Sequence, residues 1–188
     1  MTAPIHFTRR GYPTASRWLH WVTALVVLAT IPAGAIMTSE GLSRGLQNTL
    51  FIFHKNVGVV ILLLVAMRLA VRMFSSPGPL PDHIPTWQKR AAAVSHGALY
   101  FLLLVMAISG YVRVRAGGFP IEALDAIGMP SFVPRSENLA DTAKAIHSNA
   151  RFVLLAFIGL HVAAALQHGL IKRDGVFGRI WPLKAPKV

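Results

Sequence analysis

The sequence predicts an all-α integral membrane protein folded as a four-helix bundle, and three observations lead there. Charged residues make up 14% of the 188, about half the share of a soluble domain, while hydrophobic residues reach 54%. Four stretches are long enough to cross a hydrocarbon core about 30 Å thick, which takes about 20 apolar residues in a helix. Those stretches are continuously apolar rather than alternating, so they read as helices and not as barrel strands.

The first span, Trp18 to Ser39, runs 22 residues without a charge. Arg9 and Arg10 precede it, and Ala33-Gly34-Ala35 resembles a signal-peptidase site. Its apolar run is nevertheless longer than the roughly 7–15 residues of a secretory h-region, so the segment is expected to be retained. Leu46 to Met67 is interrupted only by Lys55, Ala91 to Val112 is again charge-free, and Ala145 to Ile171 contains only Arg151. With helical ends added, the spans are expected at about 18–39, 46–71, 91–114 and 143–170 of one domain, 1–188. Ser75 to Pro85 holds four prolines and forms one linker. Ala116 to Asp141 carries Gly117-Gly118, three prolines and four acids, and is expected to make a cap with one short surface helix.

Nineteen Lys and Arg against seven Asp and Glu leave a net charge of +12. A nucleic-acid face is one source of such a balance and basic membrane loops are another; the apolar spans decide for the second. With the N-terminus inside, twelve basic residues fall on the inner side: Arg9, Arg10, Arg17, Arg68, Arg72, Lys89, Arg90, Lys172, Arg173, Arg179, Lys184 and Lys187. The outer side holds seven, with five of the acids. Both termini are therefore expected in the cytoplasm.

No cysteine is present, so metal or redox chemistry has to rest on the eight histidines. Six lie on or near the spans: His20, His54, His96, His147, His161 and His168. Titratable groups inside a bilayer are expensive and mark function, whereas His6 and His83 lie in a tail and a loop and read as surface residues. His147 and His161 are 14 residues apart. At about 100° per residue that separation is about 40° short of four turns, so both leave one helix face about 21 Å apart. That spacing suits two prosthetic groups, one per leaflet; interhelical hydrogen bonding by the two histidines is the plainer alternative. His54 lies at the depth of His147, and His20 near that of His161. Gly34 follows His20 by 14 residues and Gly58 follows His54 by one turn, both placed to leave room for a flat group. His96 has its own Gly110 14 residues later, and geometry leaves a His96–His161 pair open. His168 sits at the membrane boundary, where it or His96 is a candidate partner for a propionate or a quinone carbonyl.

Arg17-Trp18-Leu19-His20-Trp21, Phe53-His54-Lys55-Asn56-Val57-Gly58, Ile146-His147 and Gly159-Leu160-His161-Val162-Ala163-Ala164-Ala165-Leu166 resemble the bacterial cytochrome b561 family, in particular its short four-helix dihaem members. The resemblance covers essentially the whole chain. It implies two b-type haems, with His20 and His161 on the inner one and His54 and His147 on the outer one. His96 has a counterpart in the family that is not an axial ligand. The resemblance also implies a bacterial inner membrane location and one of two activities. Some members look like superoxide oxidases, which pass electrons from superoxide to ubiquinone; others are cytochrome b subunits linking dehydrogenases or hydrogenases to the quinone pool. No fifth span or large extra domain is seen, which favours the stand-alone form.

On the first reading superoxide would react outer-sphere at a saturated haem, and a basic entry would raise its encounter rate. Lys55, Arg113, Arg115, Lys144 and Arg151 are the candidates, with membrane-edge snorkelling as their ordinary alternative. Arg151 follows His147 by four residues and so shares its face. Glu122, Asp125, Glu137 and Asp141 keep the outer field from being strongly positive. Trp18, Trp21, His96 and His168 are candidate lining for a quinone site. Superoxide, the ubiquinone pool and membrane lipid are the expected partners, with no nucleic acid and no obligatory protein partner.

Overall fold

The computed structural model describes residues 11–75 and 77–182. Arg9, Arg10, His6, Lys184 and Lys187, used in the orientation and histidine readings, lie outside the described residues. Four long helices are present: α1 (Thr14–Ile36), α2 (Arg44–Phe74), α3 (Thr86–Ala116) and α5 (Glu137–Leu166). The short helix α4 (Glu122–Ala126) sits in the connection from α3 to α5, where a surface helix was expected. Each of the four long helices is long and apolar enough to cross a membrane.

The helices overrun the apolar stretches at their polar ends, which hydropathy does not mark. Pro13 precedes α1 and Pro85 precedes α3, with φ of −54° and −57° that suit a helix entry. Ser43 and Ser136 cap α2 and α5, their hydroxyls accepting from the amides of Leu46 and Leu139. The Ser136 cap starts α5 six residues before the expected boundary. At 31 residues, α2 and α3 are each about 46 Å long, more than the roughly 30 Å of a hydrocarbon core, so their basic ends at Arg72, Lys89 and Arg90 extend past it. A π-helical turn, Gln167–Lys172, prolongs α5 until Arg173 adopts φ 50° and ends it. Pro32 lies inside α1, where it removes one backbone donor.

Helix α1 packs on α2, α2 on α3, and α3 on α5. The centre of the bundle is a cluster of Val27, Ile61 and Val65, with Leu103, Leu104 and Ile158 against it. Val27 is midway between His20 and Gly34, Ile61 between His54 and Arg68, and Leu103 between His96 and Gly110. Leu154, midway between His147 and His161, is buried as well. An apolar septum thus separates two polar layers, each about 10 Å from it along the helix axes. Hydroxyls in the bundle return to their own helices: Thr23 donates to Leu19 O at 2.6 Å and Thr30 to Val26 O at 2.7 Å. Leu25, Leu63, Phe101 and Leu160 point outward, as lipid-facing residues must.

Each end of the bundle carries a cap. On the side where the described chain starts and ends, the segment after α5 folds back over α1. Arg17 donates to Trp181 O at 3.2 Å, Trp21 Nε1 to Ile180 O at 3.0 Å, and Tyr12 N to Arg179 O at 3.3 Å. Arg179 in turn donates to Pro79 O at 2.9 Å and to Gly78 O, gathering the Pro-rich linker into the same cap. Burial pushes the Arg179 guanidinium below its usual pKa, and Tyr12 opposes that. At the opposite end α4 is tied down on α2.

Candidate functional site

The fourteen-residue pitch puts two sets of side chains on the inward faces of all four long helices. One layer, called outer here, takes Gly34 from α1, His54 from α2, Gly110 from α3 and His147 from α5. The rings of His54 and His147 lie 6.2 Å apart between centroids, with planes at 79°. Thr30 O is 3.3 Å from His54 Nδ1, and Met106 O is 2.9 Å from His147 Nδ1. Carbonyls only accept, so both Nδ1 atoms carry the hydrogen and both Nε2 atoms are left as lone-pair donors. Ser109 Oγ, 3.2 Å from His147 Nδ1, adds a further contact. Gly34 is needed for this packing, since a Cβ there would fall 2.6 Å from His54 Cε1; a Cβ on Gly110 would fall 3.2 Å from His147 Cε1 and press that ring back by a few tenths of an ångström.

The inner layer takes His20, Arg68, His96 and His161. His20 and His161 stand 6.1 Å apart with planes at 66°, and His96 and His161 5.4 Å apart at 69°. His161 thus has two histidine neighbours, and the spacing read from sequence had left both pairings open. Arg68 Nη2 is 3.1 Å from His20 Nδ1. Sequence reasoning missed Arg68 as a member of this layer, although its position 14 residues after His54 carried the same signal as the histidines and glycines.

Among the described residues no cluster of three or more His, Asp or Glu could hold a metal ion by itself. What each layer offers is an imidazole pair, the donor set required on the two faces of a metal already carried by a planar macrocycle. Two nitrogen–metal bonds of about 2 Å, with the half-widths of two imidazoles, add up to about 6 Å, close to the 6.1 and 6.2 Å found. The spacing of both pairs therefore fits haem, and in the outer pair the ring hydrogens fit it as well.

The chain belongs to the prokaryotic cytochrome b561 family. The family model, described as prokaryotic cytochrome b561, matches residues 11–183. Cytochrome b561 homolog 2 of Escherichia coli K12 is 29% identical over 174 residues, 92% of each chain. Cytochrome b561 homolog 1 of the same organism is 30% identical over 169 residues, covering 88% of this chain and 93% of its own. A protein of Yersinia pestis named probable superoxide oxidase CybB is 30% identical over 168 residues, with the same coverages. The chain is thus a multi-pass bacterial membrane protein of electron transfer, in a family that binds haem b.

Within this cytochrome, the basic residues expected at an outer entry divide in two. Lys55 Nζ lies 2.7 Å from Glu122 Oε1 and donates to Pro120 O at 2.8 Å. Asn56 donates to the other Glu122 oxygen at 2.7 Å and accepts from Ala123 N at 2.7 Å. Burial opposes ionisation of Glu122, but the hydrogen bonds from Lys55, its own amide and Asn56 outweigh it and hold the carboxyl below its ordinary pKa. Arg115 is buried and lies 2.6 Å from Asp125 Oδ1. These two cations therefore tether α4 and are charge-neutralised. Arg113, Arg151 and Lys144 have no carboxylate within 4 Å among the described residues, and the Arg151 guanidinium lies over its neighbour Phe152.

The candidate quinone residues also separate. Trp18 is half exposed on the outside of α1. Trp21 contacts both His20 and Trp181, with ring centroids 5.6 and 5.4 Å away. His96 joins the inner layer. His168 stands apart from that layer, with Nδ1 2.5 Å from Asp174 Oδ2. It lines a cavity of about 390 Å³ with Gly169, Arg173, Phe177, Gly178 and Trp181. Burial raises the Asp174 carboxyl, but hydrogen bonds from His168 and the Val176 amide bring it below its usual value.

Proposed function

We propose that this cytochrome holds two haems b and acts as a superoxide oxidase, taking electrons from superoxide outside and delivering them to ubiquinone. The observation that carries the reading is the pair of imidazole pairs, 6.1 and 6.2 Å across, one on each side of an apolar septum. His54 and His147 would hold the outer haem, and His20 and His161 the inner one. Haem held between these histidines would supply a one-electron carrier, and a pair of imidazoles on each haem would favour electron transfer over oxygen binding. Two superoxide anions give two dioxygen molecules and two electrons; those electrons and two protons convert one quinone to a quinol.

The chain's own residues do the rest. Arg113 and Arg151, which have no carboxylate within 4 Å among the described residues, carry positive charge at the outer end, where an anionic substrate gains from it. Lys55 and Arg115 hold the cap through Glu122 and Asp125. The name of the Yersinia relative supports the superoxide reading; the Escherichia relatives are named only as cytochromes, which keeps the electron-carrier subunit as the second reading. At the other end, His168 gives its Nδ1–H to Asp174 and lines a cavity of about 390 Å³; as the imidazolium it would have a second N–H, on Nε2, to give to a quinone carbonyl. Trp181 lines that cavity and Trp21 joins it to His20. We place the protein in the inner membrane with both termini cytoplasmic, following the basic residues of the end where the described chain starts and ends.

The test is to mix the oxidised protein with superoxide without oxygen and follow the haem absorption. Reduction faster than in a superoxide-dismutase control, with quinol formed on adding ubiquinone, is expected. No acceleration would leave an electron carrier without superoxide chemistry.

A further inference from the structure

Arg68 makes a contact that differs in kind from those of the outer histidines. A guanidinium only donates, so at 3.1 Å it makes His20 Nδ1 an acceptor. A neutral imidazole has one N–H, so His20 then carries its hydrogen on Nε2. The outer pair has the reverse arrangement, with Nδ1 facing carbonyls. An imidazole that gives Nε2 to a metal keeps its hydrogen on Nδ1. For His20 to serve as a ligand, Arg68 needs a different acceptor.

A place for that acceptor adjoins the contact. Tyr12, Ser16, Arg68, Arg72, Ser75 and Tyr100 line a cavity of about 30 Å³, room for one water-sized group and too small for a ring. Arg72 follows Arg68 by four residues and shares its face, and the Arg68 guanidinium lies 5.1 Å from the Tyr100 ring centroid. Ser16 and Arg72 each lie one turn, about 6 Å, nearer than His20 and Arg68 to the end where the described chain starts and ends. The charged lining is wholly cationic, and its side-chain polar groups are guanidiniums and hydroxyls. Neither arginine has a carboxylate within 4 Å among the described residues, whose ion pairs join Lys55 to Glu122, Arg115 to Asp125 and His168 to Asp174. Two guanidiniums with hydroxyls beside them match a carboxylate or a phosphate.

We propose that Arg68 and Arg72 form an oxyanion site at the inner histidine layer, which takes a carboxylate arm of the haem held by His20 and so frees His20 Nδ1 to donate. The proposal rests on the two-haem reading. It makes Arg68 a positioning residue, acting on the ligand through what it binds. The phosphate of an anionic phospholipid has the same chemistry and is separated by experiment.

The full-length protein is loaded with haem carrying ¹³C in its carboxylates, its haem is counted, and reduced-minus-oxidised infrared spectra are recorded. Arg68→Gln and Arg72→Gln are expected to keep two haems per chain and to move the labelled carboxylate bands of one haem only. In Arg68→Gln the reduced-to-oxidised ratio of that haem is expected to fall about tenfold at fixed potential, 59 mV for one electron. Arg68→Lys, which keeps the charge without the planar fork, is expected to restore most of the potential and little of the band position. Two haems with unmoved bands in both glutamine variants would overturn the site. Unmoved bands with loss of a bound anionic phospholipid in native mass spectrometry would assign the arginines to a headgroup and overturn the haem carboxylate. Fewer than two haems in the unmodified protein would overturn the two-haem reading and this site with it.

Discussion

At the outer layer α1 and α3 contribute glycine, where fourteen residues away at the inner layer they contribute histidine. α5 contributes histidine to both layers, and α2 contributes His54 to one and Arg68 to the other. The outer layer is consequently simple: two imidazoles, two backbone gaps against their rings, and carbonyls that set the ring hydrogens. The inner layer has three imidazoles and a guanidinium and no glycine. Its geometry therefore admits two partners for His161, and on the proposed ligation by His20 it needs an external acceptor for Arg68. The same helical pitch thus builds one layer that is self-contained and one that is coupled to its surroundings.

The largest way to break this contrast is to fill an outer gap. Gly34→Val puts its Cβ where His54 Cε1 already lies, at 2.6 Å, so the ring has to leave. Haem content is expected to fall from two per chain to one, read from the reduced pyridine spectrum against protein. Gly45→Ala, with nothing within 4 Å of the added carbon, is expected to keep both. Next, Ile61→Ala opens the septum between the layers. It is expected to lower the unfolding free energy in detergent by about 2 kcal/mol or more while both haems stay bound. Loss of a haem instead would mean that the septum shapes the layers and does not merely separate them.

A smaller effect sharpens the difference at the outer entry. Arg113→Gln combined with Arg151→Gln is expected to slow superoxide-driven haem reduction severalfold at low salt and to flatten its dependence on ionic strength. Lys55→Gln is expected to do much less to that rate, because Glu122 already neutralises Lys55. The smallest effect concerns the cap. The Glu122 carboxyl is held below its ordinary pKa, so its contribution is present at neutral pH and is lost as pH falls through that depressed value. Glu122→Gln is expected to speed hydrogen exchange in α4 severalfold at pH 7, and the unmodified protein to match it only in strong acid; a partly exposed ion pair of this kind contributes on the order of 1 kcal/mol. Equal exchange at pH 7 would show that Asn56 and Arg115 hold the cap unaided.

The spans and the histidine layers were legible because both follow from periodicity: apolar length fixes the crossings, and a 14-residue step returns to one helix face. Gly34 was legible for the same reason, although the structure shows it receiving a histidine ring. Arg68 obeys the same step yet passed as a topology charge, since basic residues at helix ends usually are. The fates of Lys55 and Arg115 were out of reach, because pairing with Glu122 and Asp125 depends on where the cap folds back. So did the partner of His168: Asp174 meets it only because the π-helical turn and Arg173 reverse the chain. Local period predicts faces; it does not predict which loop closes over them.

The most direct test of the two-layer account is the haem count in single histidine variants. His20→Ala, His54→Ala, His147→Ala and His161→Ala are each expected to retain one haem of two, and His96→Ala is expected to retain both. Loss of a haem in His96→Ala together with two retained in His20→Ala would contradict the account and move the inner site to His96 and His161.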